Sequence, residues 1–376
     1  MASIFLYGTL RYLPLLELVG GADLADRVVP ADLPDHQVYW AKGQAFPMIA
    51  AAPGETAHGL LLTTGTQSVV DRLAFYENIF GYPLVPVDVM VDGQTVSAMV
   101  YWPESAGIAQ GALWSLDDWI TDWAVISMNT AREVIDFYGK TAPQILAPRM
   151  NAIRARAQST QTAQDHPPTT LRHHATPGDV TLDSLSRPYA HFFALEDLVV
   201  RHTRFDGTDS GPLERAVFVA PDAATVLPYD PVTDQVLLIE QFRVGAFGRG
   251  DPQPWTLEAI AGRIDPGETA SQAAIREAHE EAGLTLTDLI SIGGYYCSPG
   301  AKTEFLHSFI GLADLSKERT GVGGLAAENE DIRSHIISFD ELMALVDSGE
   351  AANSPLLVSA LQLARRRADF QARANG

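Results

Sequence analysis

The segment 262–284, GRIDPGETASQAAIREAHEEAGL, fixes a helix at both ends and loads it with like charge. Thr269, with Gln272 three residues on, forms a capping box, so the helix starts there. Gly283 supplies the left-handed residue that follows a last turn, so the helix stops there. Between them Glu277, Glu280 and Glu281 lie within roughly 100° of arc, where like charges repel. Arg276 stands beside them with a single positive charge. A solvated acidic face would tolerate such a run. A hard divalent cation would turn the repulsion into coordination, because Mg2+ takes carboxylate oxygens and substrate phosphates.

The chain has 376 residues, enough for two domains that each bury a core. Its formal net charge of −21 argues against general nucleic-acid binding, which rests on Lys and Arg neutralising phosphates. The single cysteine, Cys297, rules out an intrachain disulfide and suits a reducing compartment. It is expected to be a small buried apolar residue. No signal-like leader and no run of 18 apolar residues occurs, so a cytoplasmic protein without a membrane partner is expected.

Residues 1–110 read as a compact α+β domain. SIFLYGTL, HGLLLTT and VSAMVYW are strand candidates, and VDGQ marks a hairpin turn. TQSVVDRLAFYENI reads as a helix. Residues 111–157 form a helical extension, in which Leu116, Trp119, Trp123 and Ile126 make one apolar face and Ser115 is an N-cap. Residues 158–178 are polar, aperiodic and contain Pro, a linker composition; His173 and His174 there lack companion metal ligands. Residues 179–376 form the second domain. ATVLPYD and QVLLIEQFR are joined by a DPVTDQ turn, and LISIGGYYC and FLHSFIGLADL follow the acidic helix as further strands. Two amphipathic helices, FDELMALVDSGE and SPLLVSALQLARRRADF, close the chain.

The spacing of Gly262, Glu268, Arg276, Glu277, Glu280, Glu281 and Gly283 fills the fixed positions of a Nudix box, with only Ala278 smaller than the usual large aliphatic. Residues 187–370 resemble the ADP-ribose pyrophosphatase branch of the Nudix hydrolases. The stretches HFFALEDLVVRHTRFDG, PWTLEAIAGRIDPGE, SPG at 298–300 and AAENEDIR at 326–333 carry the likeness. The resemblance implies an α/β/α sandwich around a mixed sheet and a homodimer that exchanges N-terminal strands. The implied substrate is a nucleoside diphosphate sugar. The implied cofactor is Mg2+, with Mn2+ as a substitute, held by Glu277, Glu281 and the carbonyl of Ala261, with Glu280 as a shared ligand. Glu328 is the implied general base, with Glu330 as a metal ligand or stand-in, on a Gly-rich approach that suits a lid. Arg215 and Arg243 are implied phosphate or ribose anchors, and Phe192 an adenine-stacking aromatic from the partner subunit. Pro299 marks the ADP-ribose branch, and Arg276 is expected to bridge box carboxylates such as Glu268. A GDP-mannose hydrolase and a non-catalytic nucleotide sensor are the alternatives.

At the front, FLYGTL at 5–10, FPMIAAAPGETAHGLLL and LAFYENIFGY at 73–82 resemble the γ-glutamyl cyclotransferase-like fold, a small barrel with helices. The resemblance implies that Tyr7, Gly8, Thr9 and Leu10 form a loop presenting backbone N–H groups to a substrate carboxylate, and that Glu77 is the acid/base. The sequence departs from that family after Glu77, where Gly81-Tyr82-Pro83 replaces the usual Tyr-x-Arg. The fusion of the two domains also resembles proteins associated with tellurite resistance, for which these residues offer no chemistry.

Overall fold

A computed structural model of the chain describes residues 3–63, 65–103, 109–164, 169–316, 321–324 and 330–374. The chain divides into two compact units, 1–166 and 167–376. Among the described residues no helix is long and apolar enough to cross a membrane.

The first unit contains β1 (Ser3–Leu6), α1 (Leu13–Gly20), β2 (Val28–Ala41), β3 (Pro47–Thr63), α2 (Gln67–Asn78), β4 (Leu84–Val91), β5 (Gln94–Tyr101), β6 (Gln110–Leu113), α3 (Leu116–Ile135), α4 (Pro143–Leu146) and α5 (Met150–Thr162). Five strands close in the order β3-β1-β5-β4-β2, with β2 returning to β3, and β6 extends the sheet beyond β2. Closure leaves the five barrel strands without a free edge. The β4–β5 turn carries Asp92 and Gly93 at φ of 49° and 77°, the left-handed pair a two-residue hairpin needs. Residues Pro47–Thr63 make one long strand, β3, paired along most of its length with β2.

Strand β1 is buried on both faces. Phe5 and Tyr7 point into the barrel with Leu33, Ile49, Val89 and Val100. Ile4 and Leu6 point the other way, into a core built with α1, α2, α3 and α5. Period-two alternation thus assigns neighbouring residues of one strand to two cores. The helices of the expected extension belong to the second of these cores, through Trp119, Val134, Leu146, Met150 and Ile153. Helix α5 also runs to Thr162, beyond the expected start of the linker. Ser115 caps α3, accepting a hydrogen bond from the Asp118 amide at 3.2 Å. Trp119 has no exposed surface, and its indole N–H donates to the carbonyl of Ala45 at 3.0 Å.

The second unit opens with a three-stranded antiparallel sheet of β7 (Val180–Ala190), β8 (Ala194–His202) and β9 (Leu213–Val219). There follow β10 (Ala223–Asp230), β11 (Gln235–Phe242), α6 (Val244–Arg249), β12 (Trp255–Glu258), β13 (Ile260–Arg263), α7 (Ala270–Ala282), β14 (Asp288–Tyr296), β15 (Phe305–Leu312), β16 (Val322–Gly323), β17 (Ile332–Ser338), α8 (Phe339–Ser348) and α9 (Ser354–Ala374). These strands form a mixed sheet in the order β14-β15-β10-β11-β17-β16, with β10 and β15 parallel. Strands β10 and β11 pair only beside their turn, at Tyr229–Val236 and Asp230–Gln235. They then splay, and β13 pairs with β10 while β12 pairs with β11. One face of the sheet is covered by α7 and the other by α8 and α9.

Replacing Trp119 with Ala should destabilise the first unit by about 3–5 kcal/mol, the usual cost of removing a buried aromatic. Chemical denaturation followed by circular dichroism checks this, and a loss near zero would remove α3 from the core between β1 and the helices.

Candidate active site

Helix α7 is built as its sequence dictates. Thr269 accepts from the Gln272 amide at 3.2 Å, and the Gln272 side chain accepts from the Thr269 amide at 2.8 Å. Gly283 ends the helix at φ 66°. The helix lies against β10 and β13 through Ala273, Ala274 and Ala278, each fully buried. Three methyl groups in a row let the helix come close to the sheet, so Ala278 matches its setting. The approach is tightest at Gly262, where an added Cβ would fall 1.8 Å from a carboxylate oxygen of Glu277.

The box carboxylates meet different fates. Arg276 donates from Nε and Nη2 to Glu268 at 2.9 and 2.8 Å, and from Nη1 to Glu277 at 2.6 Å and Glu280 at 2.9 Å. Nη2 also donates to the carbonyl of Arg263 at 3.0 Å. Glu281 receives nothing from Arg276. It is 4% exposed and accepts a hydrogen bond from the Ala261 amide at 3.3 Å. Burial pushes the Glu281 carboxyl up to about 9, with repulsion from Glu277 and Glu330 adding to it. Burial likewise raises Glu277 to about 7, against the pull of Arg276 and with repulsion from Glu280 and Glu330. Burial thus opposes ionisation of both, and the site holds more carboxyl groups than its arginine would balance were all of them ionised.

Across from these acids, Arg243 follows β11 and forms a two-pronged pair with Glu258, from Nε at 2.9 Å and Nη2 at 2.6 Å. Burial opposes the Arg243 charge, but Glu258, with attraction from Glu281 and Glu330, holds its pKa above the ordinary value. Arg263 lies over the Phe192 ring at 5.6 Å and donates to Asp265. Phe192 is 57% exposed. Arg215 is exposed on β9, with Nη1 on the carbonyl of Glu214 at 2.7 Å. Pro299 is exposed on a loop whose next residue but one, Ala301, accepts from the Phe218 amide at 2.8 Å, joining the loop to β9. Glu328 lies outside the described residues, as do 325–327 and 329 of the expected lid.

In the first unit, Gly8, Thr9 and Leu10 make a single tight turn after β1, in which the Arg11 amide donates to Gly8 and the Tyr12 amide to Thr9, both at 3.0 Å. Glu77, near the end of α2, is half-buried in protein that raises its carboxyl to about 7. Burial raises the Tyr7, Tyr76, Tyr82 and Tyr101 phenols, and the Glu77 carboxylate adds to each.

Residues 219–357 match the family model described as "NUDIX domain", and residues 4–121 match "Gamma-glutamyl cyclotransferase, AIG2-like". The chain is 37% identical over 181 residues to the ADP-ribose pyrophosphatase of Escherichia coli K12, spanning 48% of this chain and 86% of that protein. The chain belongs to the Nudix family. The ADP-ribose pyrophosphatase of Haemophilus influenzae is 33% identical over 200 residues, 53% of this chain and 92% of the relative. The GDP-mannose pyrophosphatase of Shigella flexneri is 31% identical over 176 residues, 46% of this chain and 90% of the relative.

The Nudix unit gathers Glu277, Glu281, Glu330 and Arg243 into one electrostatic neighbourhood. Glu258, which holds Arg243, escaped the sequence reading, although it sits in the quoted stretch PWTLEAIAGRIDPGE. Cys297 differs from expectation. It is exposed, and its thiol donates to Glu304 at 3.2 Å, because β14 ends at Tyr296 and leaves it outside the core.

Glu77 predicts a pH dependence of stability. Its folded pKa, about 7, lies above the ordinary carboxyl value of 4.5. The stabilisation it brings is complete below the unfolded pKa and is lost as pH rises through about 7. The melting temperature of the first unit should fall between about pH 5 and pH 8, and Glu77→Gln should remove that component. Identical slopes in the two proteins, by calorimetry, would refute the assignment.

Proposed function

We propose that the Nudix unit hydrolyses the diphosphate bridge of ADP-ribose to AMP and ribose 5-phosphate, with Mg2+ as cofactor and Mn2+ as a substitute. The observation carrying this reading is the buried, mutually repelling pair Glu277 and Glu281, set against Gly262 in a chain whose relatives include ADP-ribose pyrophosphatases. The donor set suits a hard divalent ion, since it is all oxygen and its charge exceeds what Arg276 neutralises. Among the described residues no three acidic, His or Cys side chains already form a cage. The fit rests on excess buried charge. Glu277, Glu281 and the Ala261 carbonyl would hold the ion, with Glu280 and Glu330 as further donors. When bound, such an ion would supply Lewis-acid charge for the diphosphate and lower the pKa of a water.

The chain's own groups position the substrate. Arg243, steered by Glu258, brings positive charge beside the acids, where it would meet a phosphate oxygen. Arg215 and Phe192 are proposed for the terminal ribose or phosphate and for the adenine, and Glu328 as general base. A second reading, hydrolysis of GDP-mannose, draws on the 31% identical relative. Two copies are proposed to join through the β7–β9 sheet, where Leu182, Leu185, Tyr189 and Phe218 are each exposed.

Purified full-length protein with Mg2+ should release AMP from ADP-ribose faster than GMP from GDP-mannose, read by chromatography. The reverse order favours the second reading, and no turnover of either by folded protein ends the hydrolase reading. Glu281→Gln should lose turnover while keeping its circular dichroism. Gly262→Ala, which pushes on Glu277, should raise the Mg2+ requirement about 10–100-fold. Glu328→Gln should lower kcat with KM little changed; an effect on KM alone would move Glu328 into binding. Sedimentation equilibrium should give twice the 40.7 kDa chain mass. A monomer would remove the proposed sheet contact.

A further inference from the structure

The register of β11 and β12 gathers four polar side chains on one face. Antiparallel partners share a face, and Gln241 lies opposite Thr256 while Ile239 lies opposite Glu258. Ile239 belongs to the core beneath α7, so Thr256 and Glu258 face the box helix. Phe242 and Trp255, one step along each strand, turn the other way. Arg243 is still extended, at φ −121° and ψ 116°, and returns to the side of Gln241.

Glu258, at the centre of this group, is 7% exposed, and both of its oxygens are taken. Oε1 accepts from Arg243 Nε at 2.9 Å and from the Thr256 hydroxyl at 2.6 Å. Oε2 accepts from Arg243 Nη2 at 2.6 Å and from the Gln241 side-chain amide at 3.5 Å, the longest of the four. A carboxylate offers about four acceptor positions, so Glu258 has none left for an ion or a substrate hydroxyl. Arg243 is only half engaged. Nε and one N–H of Nη2 point to Glu258, while among the described residues Nη1 and the other N–H of Nη2 have no hydrogen-bond partner. Those free groups lie along the end edge of the planar fork, an edge that can take two oxygens at once.

A carboxylate sets the plane of a guanidinium only if its own plane is set, and the last torsion of a glutamate is soft. Thr256 supplies the stop. Its one hydroxyl hydrogen goes to Oε1, the oxygen that also receives Nε, and its branched Cβ makes it a stiff support. We propose that Thr256 is a positioning residue for substrate binding: it clamps Glu258, Glu258 sets the plane of the Arg243 guanidinium, and the end edge of that guanidinium is thereby aimed at two oxygens of the diphosphate. What Arg243 meets rests on the diphosphatase reading; how Arg243 is held does not.

The test reads the brace and the turnover separately, in full-length protein. Hydrogen exchange at the Arg243 Nε–H is followed by nitrogen-15 NMR without substrate or metal, the signal being assigned by its loss in Arg243→Lys. Thr256→Val, which keeps the shape and removes the hydroxyl, should speed that exchange about tenfold, and Thr256→Ser should stay near the parent rate. In the ADP-ribose assay Thr256→Val should lower kcat/KM about tenfold, and Thr256→Ser should recover most of the loss. In an Arg243→Ala background Thr256→Val should cost less than about twofold, since the group it positions is gone. Should the Val variant fail to fold, Thr256→Ala gives the same comparison. Unchanged exchange in the Val or Ala variant, a loss of the same size with Arg243 removed, or a Ser variant as impaired as Val would each overturn the proposal. No turnover by the parent protein would end the diphosphatase reading and the substrate-positioning role with it; exchange that still depends on the hydroxyl would then place the failure in that reading and not in the brace.

Discussion

Crowded carboxylates at the contact between α7 and β13 set the terms for the second unit. Glu281 is buried against the Ala261 amide, and Glu277 is folded over a backbone position that only glycine leaves open. Such burial opposes ionisation, and a helix carrying it must be held in place by other forces. Here they are the close fit of Ala273, Ala274 and Ala278 on the sheet and the five hydrogen bonds of Arg276. The splayed β10–β11 pair has its own part, because β13 gains access to β10 only where β11 has left it. Arg276 satisfies Glu268, Glu277 and Glu280 and leaves Glu281 to the backbone. That division of labour explains why one guanidinium stabilises the turn without quenching the site.

The first unit solves a different problem. A small closed barrel has little interior, and β1 compensates by serving two cores at once, with Phe5 and Tyr7 inside and Ile4 and Leu6 outside. The outer core needs α3 and α5 to cover it, so the helices that follow the barrel in sequence are part of its stability. The same arrangement brings the α5 side chain Arg154 over the rings of Phe46 and Phe80.

What could be read in advance follows from how local each signal is. Both ends of α7 were legible because caps are written within four residues of the helix. The β4–β5 hairpin was legible because Asp92-Gly93 accepts left-handed backbone. Strand β2 was not, since Pro30 and Pro34 interrupt its pattern; the structure absorbs them with a register shift between Pro34 and His36 and with Asp35 at φ 57°. The splay of β10 and β11 was hidden because nothing local marks where two paired strands part. Of the residues around the site, the box acids stood out by their spacing, whereas Glu258 acquires its meaning from Arg243, beyond its own strand. In MNAIRARAQ nothing separates Arg154, set over two aromatic rings, from Arg156, buried in an ion pair.

The lone cysteine has a practical side. Cys297 is at the surface beside the 298–302 loop, yet burial of its sulfur and the nearby Glu304 push the thiol up to about 11. At neutral pH roughly one sulfur in ten thousand is thiolate, the form that alkylating reagents and peroxides attack. Thiol-directed reagents should therefore couple to Cys297 slowly at neutral pH. Once attached, such a reagent would be the sole reporter on the chain, fixed next to a loop that hydrogen-bonds to the edge of the exposed sheet.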